Sequence, residues 1–411
     1  MNRVQTVTYR LASLSVFRGI MRRSVVKAYY NLLCALDSQP REFLSLYGHF
    51  FSLISERGFA DKLAYALTEA ALFDENCFTK AAAGGIYDTL PKEVLEAVKN
   101  DCGAILEAAT LSADEVLDAY SDQESIKDIR DALPRWNCGD CAESFSMFDG
   151  SLDRVAKWYR ENGCGMFARY KAFVWRDGDI QPVLHYDTIE LDDFTGYERQ
   201  RAKVLANTQS FIDGKSCNNC LLYGDMGTGK SSTVKAIANR FRKDGLRIVE
   251  IPKERLMEFP LLVDKIAALP MKFIIFIDDL SFQHQDQSYT ALKAVLEGGV
   301  SARPDNTLIY ATSNRRHIVK ERLSDRSFEV DDVNTRDNMQ ESLSLSDRFG
   351  LSVCYTIPDK EEFASIVCSL AEQKGVSVPH EKLCADAERF ALARGGRSPR
   401  CAKQFVESLF C

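Results

Sequence analysis

No apolar run in this 411-residue chain approaches the roughly 20 residues that a membrane-spanning helix needs. The N-terminus also lacks an unbroken apolar stretch long enough for a secretory signal. No acid precedes Asp37, whereas Arg3, Arg10, Arg18, Arg22, Arg23 and Lys27 all do. That asymmetry leaves two readings: a basic arm that touches nucleic acid or lipid, and a docked helix with solvated basic residues. Internal repeats and low-complexity tracts are absent. The net charge is −7, so the chain as a whole carries no positive excess for binding nucleic acid.

The length allows two or three domains, and the proportions of apolar (45%) and charged (27%) residues are those of an ordinary globular protein. Thirteen cysteines with no secretory signal imply reduced thiols and a cytoplasmic setting. Two CxxC pairs occur, Cys138–Cys141 and Cys217–Cys220. Each has zinc-compatible spacing, but neither has a third and fourth ligand nearby in a familiar register. Cys220 also runs into the apolar segment "CLLYG", which favours a place in the core.

Residues 1–165 form a helical N-terminal region by periodicity. Phe43, Tyr47, Phe50 and Ile54 recur at helical spacing, as do Val94, Val98, Cys102 and Ile105, and Pro91 marks a helix start. Residues 166–194 hold a β-hairpin broken at Asp177-Gly178, followed by a linker. Residues 195–357 alternate strands with helices, which predicts a parallel α/β sheet. Its strands are "CLLYG", "LRIVEI", "KFIIFID" and "TLIYATS". Between them, Val234, Ile237, Ala238 and Phe241 share one helical face, and Tyr289, Leu292 and Leu296 another. Residues 358–411 are helical again, with Asp359 and Glu362 as a capping box and Ser398-Pro399 opening the last helix.

The chemistry concentrates in "LLYGDMGTGKSSTVKAI". Gly224, Asp225, Met226, Gly227, Thr228, Gly229, Lys230, Ser231 and Ser232 follow a strand and open a helix in the pattern G-x-x-x-x-G-K-S, a phosphate-binding loop (Walker A). Glycines let backbone N–H groups approach phosphates, and the helix N-terminus adds partial positive charge. Lys230 is placed for the β/γ-phosphates and Ser231 for Mg²⁺. In "KFIIFIDDLSF" (Walker B), Asp278 fits as the strand-end acid that also holds Mg²⁺. Asp279 is then either the carboxylate that activates water or a turn cap. Its side chain is one methylene shorter than the more usual Glu, which predicts slow hydrolysis or a shifted water.

These motifs together resemble the AAA+ pattern. "NTLIYATSNRRH" resembles a sensor-1 strand, with Asn314 as the residue that polarises water and γ-phosphate. "SLSDRFGL" resembles the segment carrying an arginine finger, with Arg348 as candidate, although "LSDR" occurs earlier too, at Leu323–Arg326. "GGRSPRCAKQF" resembles sensor 2 at the start of a lid helix, where Arg400 matches best and Arg397 second. Arg315 and Arg316 follow sensor 1 directly. The match over about residues 165–408 is closer to a group of predicted bacterial ATPases, domain of unknown function 815. In that group an acid commonly follows "DDLSF", where this chain has Gln283.

The resemblance implies an AAA+ fold, with ATP and Mg²⁺ as cofactors. It implies no particular cellular task; the leading expectation is an ATPase that remodels or loads an unnamed protein or nucleic-acid client chosen by the N-terminal region, working as a homo-oligomer, a hexamer among the options, whose neighbour supplies Arg348. The alternatives are a slowly hydrolysing switch, such as a helicase loader, and a small-molecule P-loop kinase. Asn314 and the "SPR" helix argue against the kinase.

Overall fold

The computed structural model describes residues 2–139, 151–280, 292–293, 296, 304–314, 348–376 and 378–410. Cys141, Gln283, Tyr289, Arg315, Arg316 and Leu323–Arg326, all singled out from the sequence, lie outside those residues. The chain divides into two compact units, Met1–Arg169 and Tyr170–Cys411.

The described part of the first unit is helical. Its helices are Arg3–Ala12 (α1), Ser24–Cys34 (α2), Pro40–Glu56 (α3), Leu63–Leu72 (α4), Cys77–Ala83 (α5), Lys92–Ala109 (α6), Ala113–Ala119 (α7), Gln123–Arg130 (α8), Leu152–Asn162 (α9) and Met166–Arg169 (α10). Phe43, Tyr47, Phe50 and Ile54 form the buried stripe of α3. Phe50 stacks on Tyr29 at 4.9 Å between ring centroids and meets Trp136 edge-on at 5.1 Å. The basic N-terminus is a docked helix: Arg3 pairs with Glu115 and donates to Thr110 Oγ1, and Arg10 pairs with Glu107. Arg18 caps backbone carbonyls at Ala12 and Leu14.

The second unit is built on a seven-stranded sheet. Its strands are Ala172–Arg176 (β1), Asp179–Pro182 (β2), Cys220–Gly224 (β3), Leu246–Glu250 (β4), Lys272–Ile277 (β5), Thr307–Ser313 (β6) and Leu351–Tyr355 (β7), in the order β2-β1-β4-β5-β6-β3-β7. Every pairing is parallel except β1 with β2. Asp177 (φ 53°) and Gly178 (φ 71°) are both left-handed, as a two-residue hairpin turn demands, and the hairpin joins the main sheet through β1 and β4. All of β6 is buried, as a central parallel strand covered on both faces requires.

Helices Glu198–Ile212 (α11), Lys230–Arg240 (α12) and Phe259–Ala267 (α13) belong to this sheet unit. Val204 and Phe211 of α11 and Val234 and Ile237 of α12 share one core with Leu222, Leu308 and Tyr310. Helices Lys360–Gln373 (α14), His380–Ala393 (α15) and Pro399–Ser408 (α16) follow the last strand and enclose a separate apolar core of Phe363, Val367, Ala387, Ala402 and Val406. Asp359 caps α14 by accepting from Glu362 N at 2.8 Å, and Glu362 accepts from Asp359 N at 3.2 Å. Among the described residues no helix is long and apolar enough to cross a membrane.

Truncating Phe50, which is fully buried among aromatic rings, is expected to cost about 3–5 kcal/mol through lost burial and an unfilled cavity. Chemical denaturation of Phe50→Ala, followed by the near-ultraviolet signal of the aromatic cluster, checks this.

Candidate functional site

Strands β3, β5 and β6 run parallel, so their C-terminal ends open on one edge of the sheet. The loop from Gly224 to Gly229 leaves β3 there and turns into α12. Gly224 sits at φ 127°, and a Cβ on it would lie 2.1 Å from the Tyr355 carbonyl oxygen. No side chain fits, so β3 and β7 stay close and Asp225 N donates to Tyr355 O at 2.8 Å. Gly227 (φ 76°) and Gly229 (φ 88°) also hold positive φ, a backbone that suits an anion-cradling loop.

Lys230 opens α12 and is buried. Its Nζ donates to the Gly224 carbonyl at 3.0 Å, the Asp225 carbonyl at 2.6 Å and Asn314 Oδ1 at 3.1 Å. Burial pushes the ammonium below the ordinary lysine range, against the pull of Asp225, Asp279 and Asp278, and Arg400 adds to the lowering. Ser231 Oγ donates to Asp278 Oδ1 at 2.6 Å, and Thr312 Oγ1 donates to the same oxygen at 2.5 Å. Hard oxygens of Ser231 and Asp278 thus adjoin at the helix N-terminus, a donor set that suits Mg²⁺. The glycine cradle and the buried ammonium suit a polyphosphate.

Asp279 stands one residue beyond, exposed, with φ 51°. This left-handed conformation is uncommon outside glycine and costs on the order of 1–3 kcal/mol when the surroundings impose it. Here they do: Asp279 N donates to Thr312 Oγ1 at 2.9 Å, and Leu280 N donates to Thr312 O at 2.7 Å. The Asp279 carboxylate accepts from Asn314 Nδ2 at 2.7 Å. Lys230, Asn314 and Asp279 therefore form one chain of hydrogen bonds, beside the Ser231–Asp278–Thr312 cluster.

The candidate arginines separate clearly. Arg400 approaches the phosphate loop, its backbone N donating to Gly227 O at 3.2 Å. Arg397 is bound instead to Glu388, with Nε 3.0 Å from each carboxylate oxygen, and this pairing holds the Glu388 carboxyl below its usual range. Arg348 lies in the turn before β7. Register pairs Leu351 with Cys220 and Tyr355 with Gly224. The length of β7, about 13 Å at ~3.3 Å per residue, therefore separates Arg348 from the phosphate loop of its own chain.

Three features escaped the sequence reading. Thr312 is the alcohol that bridges both acids, and only strand register puts it there. Glu250, at the end of β4, faces the same edge; burial raises its carboxyl, Lys235 opposes this and Asp278 adds to it. A cavity of about 610 Å³ adjoins the phosphate loop. Its walls come from the linker (Ile189, Phe194, Tyr197), the loop (Gly227, Gly229) and the lid (Leu370, Lys403). That volume is the size of an ordinary small-ligand site.

A parallel sheet whose phosphate-loop strand lies between the Asn314 strand and the last strand, with a helical lid after it, is an AAA+ P-loop fold. Residues 168–411, more than half of the chain, match the family described as "Protein of unknown function (DUF815)", and the chain belongs to that family. No curated protein matches the chain. Among solved structures, it is similar to the Thermotoga maritima RuvB Holliday junction branch migration motor at 16% identity and a TM-score of 0.37, covering 53% of this chain and 63% of that one. Two point mutants of the same RuvB give 15% and 16% identity, with TM-scores of 0.37 and 0.38 and the same coverage. The chain thus spans less than two thirds of the length of these structures.

Thr312→Val removes two hydrogen bonds around the acid pair. Hydrogen bonds to a charged group are worth about 1.5–3 kcal/mol, so Mg²⁺-dependent nucleotide affinity is expected to fall about ten- to a hundredfold. Titration with a fluorescent ATP analogue, with and without Mg²⁺, measures it; the effect should shrink when Mg²⁺ is left out.

Proposed function

We propose that this protein is an Mg²⁺-dependent ATPase of the AAA+ class. It binds ATP between the sheet edge and the lid and uses hydrolysis to act on a macromolecular client. The observation that carries the reading is the convergence of the Lys230 ammonium, the Ser231–Asp278 oxygens and the Asp279–Asn314 pair at the mouth of one phosphate loop. ATP with Mg²⁺ supplies the phosphoanhydride bond and the charge that these groups are placed to meet.

In this reading the loop amides and Lys230 hold the β- and γ-phosphates, and Ser231 and Asp278 hold the cation. Asn314 orients the attacking water, and Asp279 accepts its proton. Arg400 follows the lid, and base and ribose occupy the cavity lined by Ile189, Phe194 and Leu370. Arg348, a strand's length from its own loop, serves the site of a neighbouring copy, so turnover requires an oligomer.

Lys230→Ala should abolish ATP binding, and Asp279→Asn should keep binding while losing hydrolysis. Equal ATP affinity in wild type and Lys230→Ala overturns the reading. Arg348→Ala and Lys230→Ala should each be inactive alone, and mixing them should restore part of the activity, because each supplies what the other lacks.

A second reading, a nucleotide-dependent switch or loader with slow turnover, is favoured by the short, left-handed Asp279, whose carboxylate is already engaged by Asn314. Single-turnover hydrolysis, measured with and without DNA, separates the two. Fast multiple turnover of the chain alone removes the switch.

A further inference from the structure

The lid holds a constellation unrelated to nucleotide chemistry. Among the described residues, one group of three or more His, Cys, Asp or Glu side chains converges closely enough to share a metal ion: Cys368, His380 and Cys384. Cys368 belongs to α14, while His380 and Cys384 stand four residues apart on α15 and so share one helical face. Their ligand atoms all lie within 4.8 Å of one another.

The separations carry the argument. Cys368 Sγ and Cys384 Sγ are 3.8 Å apart, and Cys384 Sγ is 3.8 Å from His380 Nε2 and 4.0 Å from Nδ1. A tetrahedral zinc with metal–sulfur bonds of about 2.3 Å and a metal–nitrogen bond of about 2.0 Å places its sulfurs about 3.8 Å apart and a sulfur and a nitrogen about 3.5 Å apart. The Cys368–Cys384 edge thus matches that of a coordination tetrahedron, and the Cys384–His380 edge lies within about 0.3 Å of one. A disulfide, at about 2.05 Å between sulfurs, would require the two cysteines to close by well over an ångström. His380 is exposed and both cysteines are half-buried, so a fourth position faces solvent.

We propose that Cys368, His380 and Cys384 form a binding site for a thiolate-preferring divalent cation of the zinc class. Two thiol protons leave to solvent as the two metal–sulfur bonds form, His380 contributes a neutral imidazole nitrogen, and water completes the tetrahedron. The cation ties the start of α15 to the middle of α14 across the connection between them. α14 also presents Ile366, Leu370 and Gln373 to the cavity beside the phosphate loop. The site would therefore set the rigidity of a wall of that cavity while touching none of its contents.

The test uses the full chain, reduced with a phosphine, freed of metal and titrated with Co²⁺. The other cysteines set a background, so the readout is the difference from variants. Wild type should bind one equivalent more than Cys368→Ser or Cys384→Ser, with a sulfur-to-cobalt charge-transfer band and tetrahedral ligand-field bands that both variants lose. His380→Ala should keep part of the charge-transfer band and lose more affinity than the about 10–100-fold typical of removing a supporting outer-shell partner. All three positions lie outside the lid's fully buried core, and an unchanged circular dichroism spectrum controls for folding. Equal Co²⁺ binding by wild type and both Ser variants overturns the proposal. So does a Cys368–Cys384 disulfide in air-purified protein that takes up no Co²⁺ at these residues once reduced. None of these outcomes depends on whether the protein hydrolyses ATP.

Discussion

The candidate chemistry rests on the parallel register of β3, β5 and β6. Strand ends in a parallel sheet all point the same way, so one register brings the phosphate loop, the Asp278–Asp279 pair and Asn314 to a single edge. One oxygen shows how tightly the register is used. Asp278 Oδ1 accepts from Ser231 at the start of α12 and from Thr312 near the end of β6, and so joins three elements through one atom. Slipping any strand by one residue would turn its site residues to the opposite face. The apolar bulk of these strands fixes the register, and the polar groups at their ends exploit it.

The same constraint explains why Asp279 tolerates a left-handed backbone. The strand ends at Ile277, and the chain leaves the sheet just beyond it. Thr312 takes the Asp279 amide and the Leu280 amide follows onto the Thr312 carbonyl, so the turn is held from the neighbouring strand. Asp is among the residues that enter this conformation at least cost. A turn that holds the carboxylate against Asn314 trades reach for fixed direction, and the water-activating role proposed for Asp279 needs both.

Much of this was legible in the sequence because it is local. The phosphate loop needs only adjacent residues and a strand–helix context, and the acidic strand end, the Asp177-Gly178 hairpin and the Asp359–Glu362 capping box are likewise short-range. What needed register or tertiary packing was not legible. Thr312 looks like any strand threonine until its neighbour is known. Sequence ranks Arg400 over Arg397 by motif match alone; the physical separation, Arg397 paired with Glu388 and Arg400 N against Gly227 O, needs the fold. Attention to the CxxC pairs pointed away from the metal-like cluster, whose cysteines lie on two helices. Cys220, in one of those pairs, is buried in the sheet core beside Leu222 and Val234.

The two apolar cores of the second unit bear on how it can move. The sheet core around Leu222, Ile274 and Tyr310 and the lid core around Phe363, Ala387 and Val406 are distinct clusters. Much of what ties the sheet side to the lid and to the segment entering it is polar and close to the cavity: Thr195 Oγ1 to Ser369 Oγ at 2.6 Å, Ile357 N to Asp225 Oδ2 at 2.7 Å and Arg400 N to Gly227 O at 3.2 Å. Net contributions of about 0.5–1.5 kcal/mol per hydrogen bond are small beside the cost of opening either core. A rotation about the segment between β7 and α14 can therefore break these bonds and leave both cores intact. Asp225 and Gly227 belong to the phosphate loop, so whatever binds that loop acts directly on two of the three bridges. That is the physical route by which occupancy of the loop would become movement of the lid.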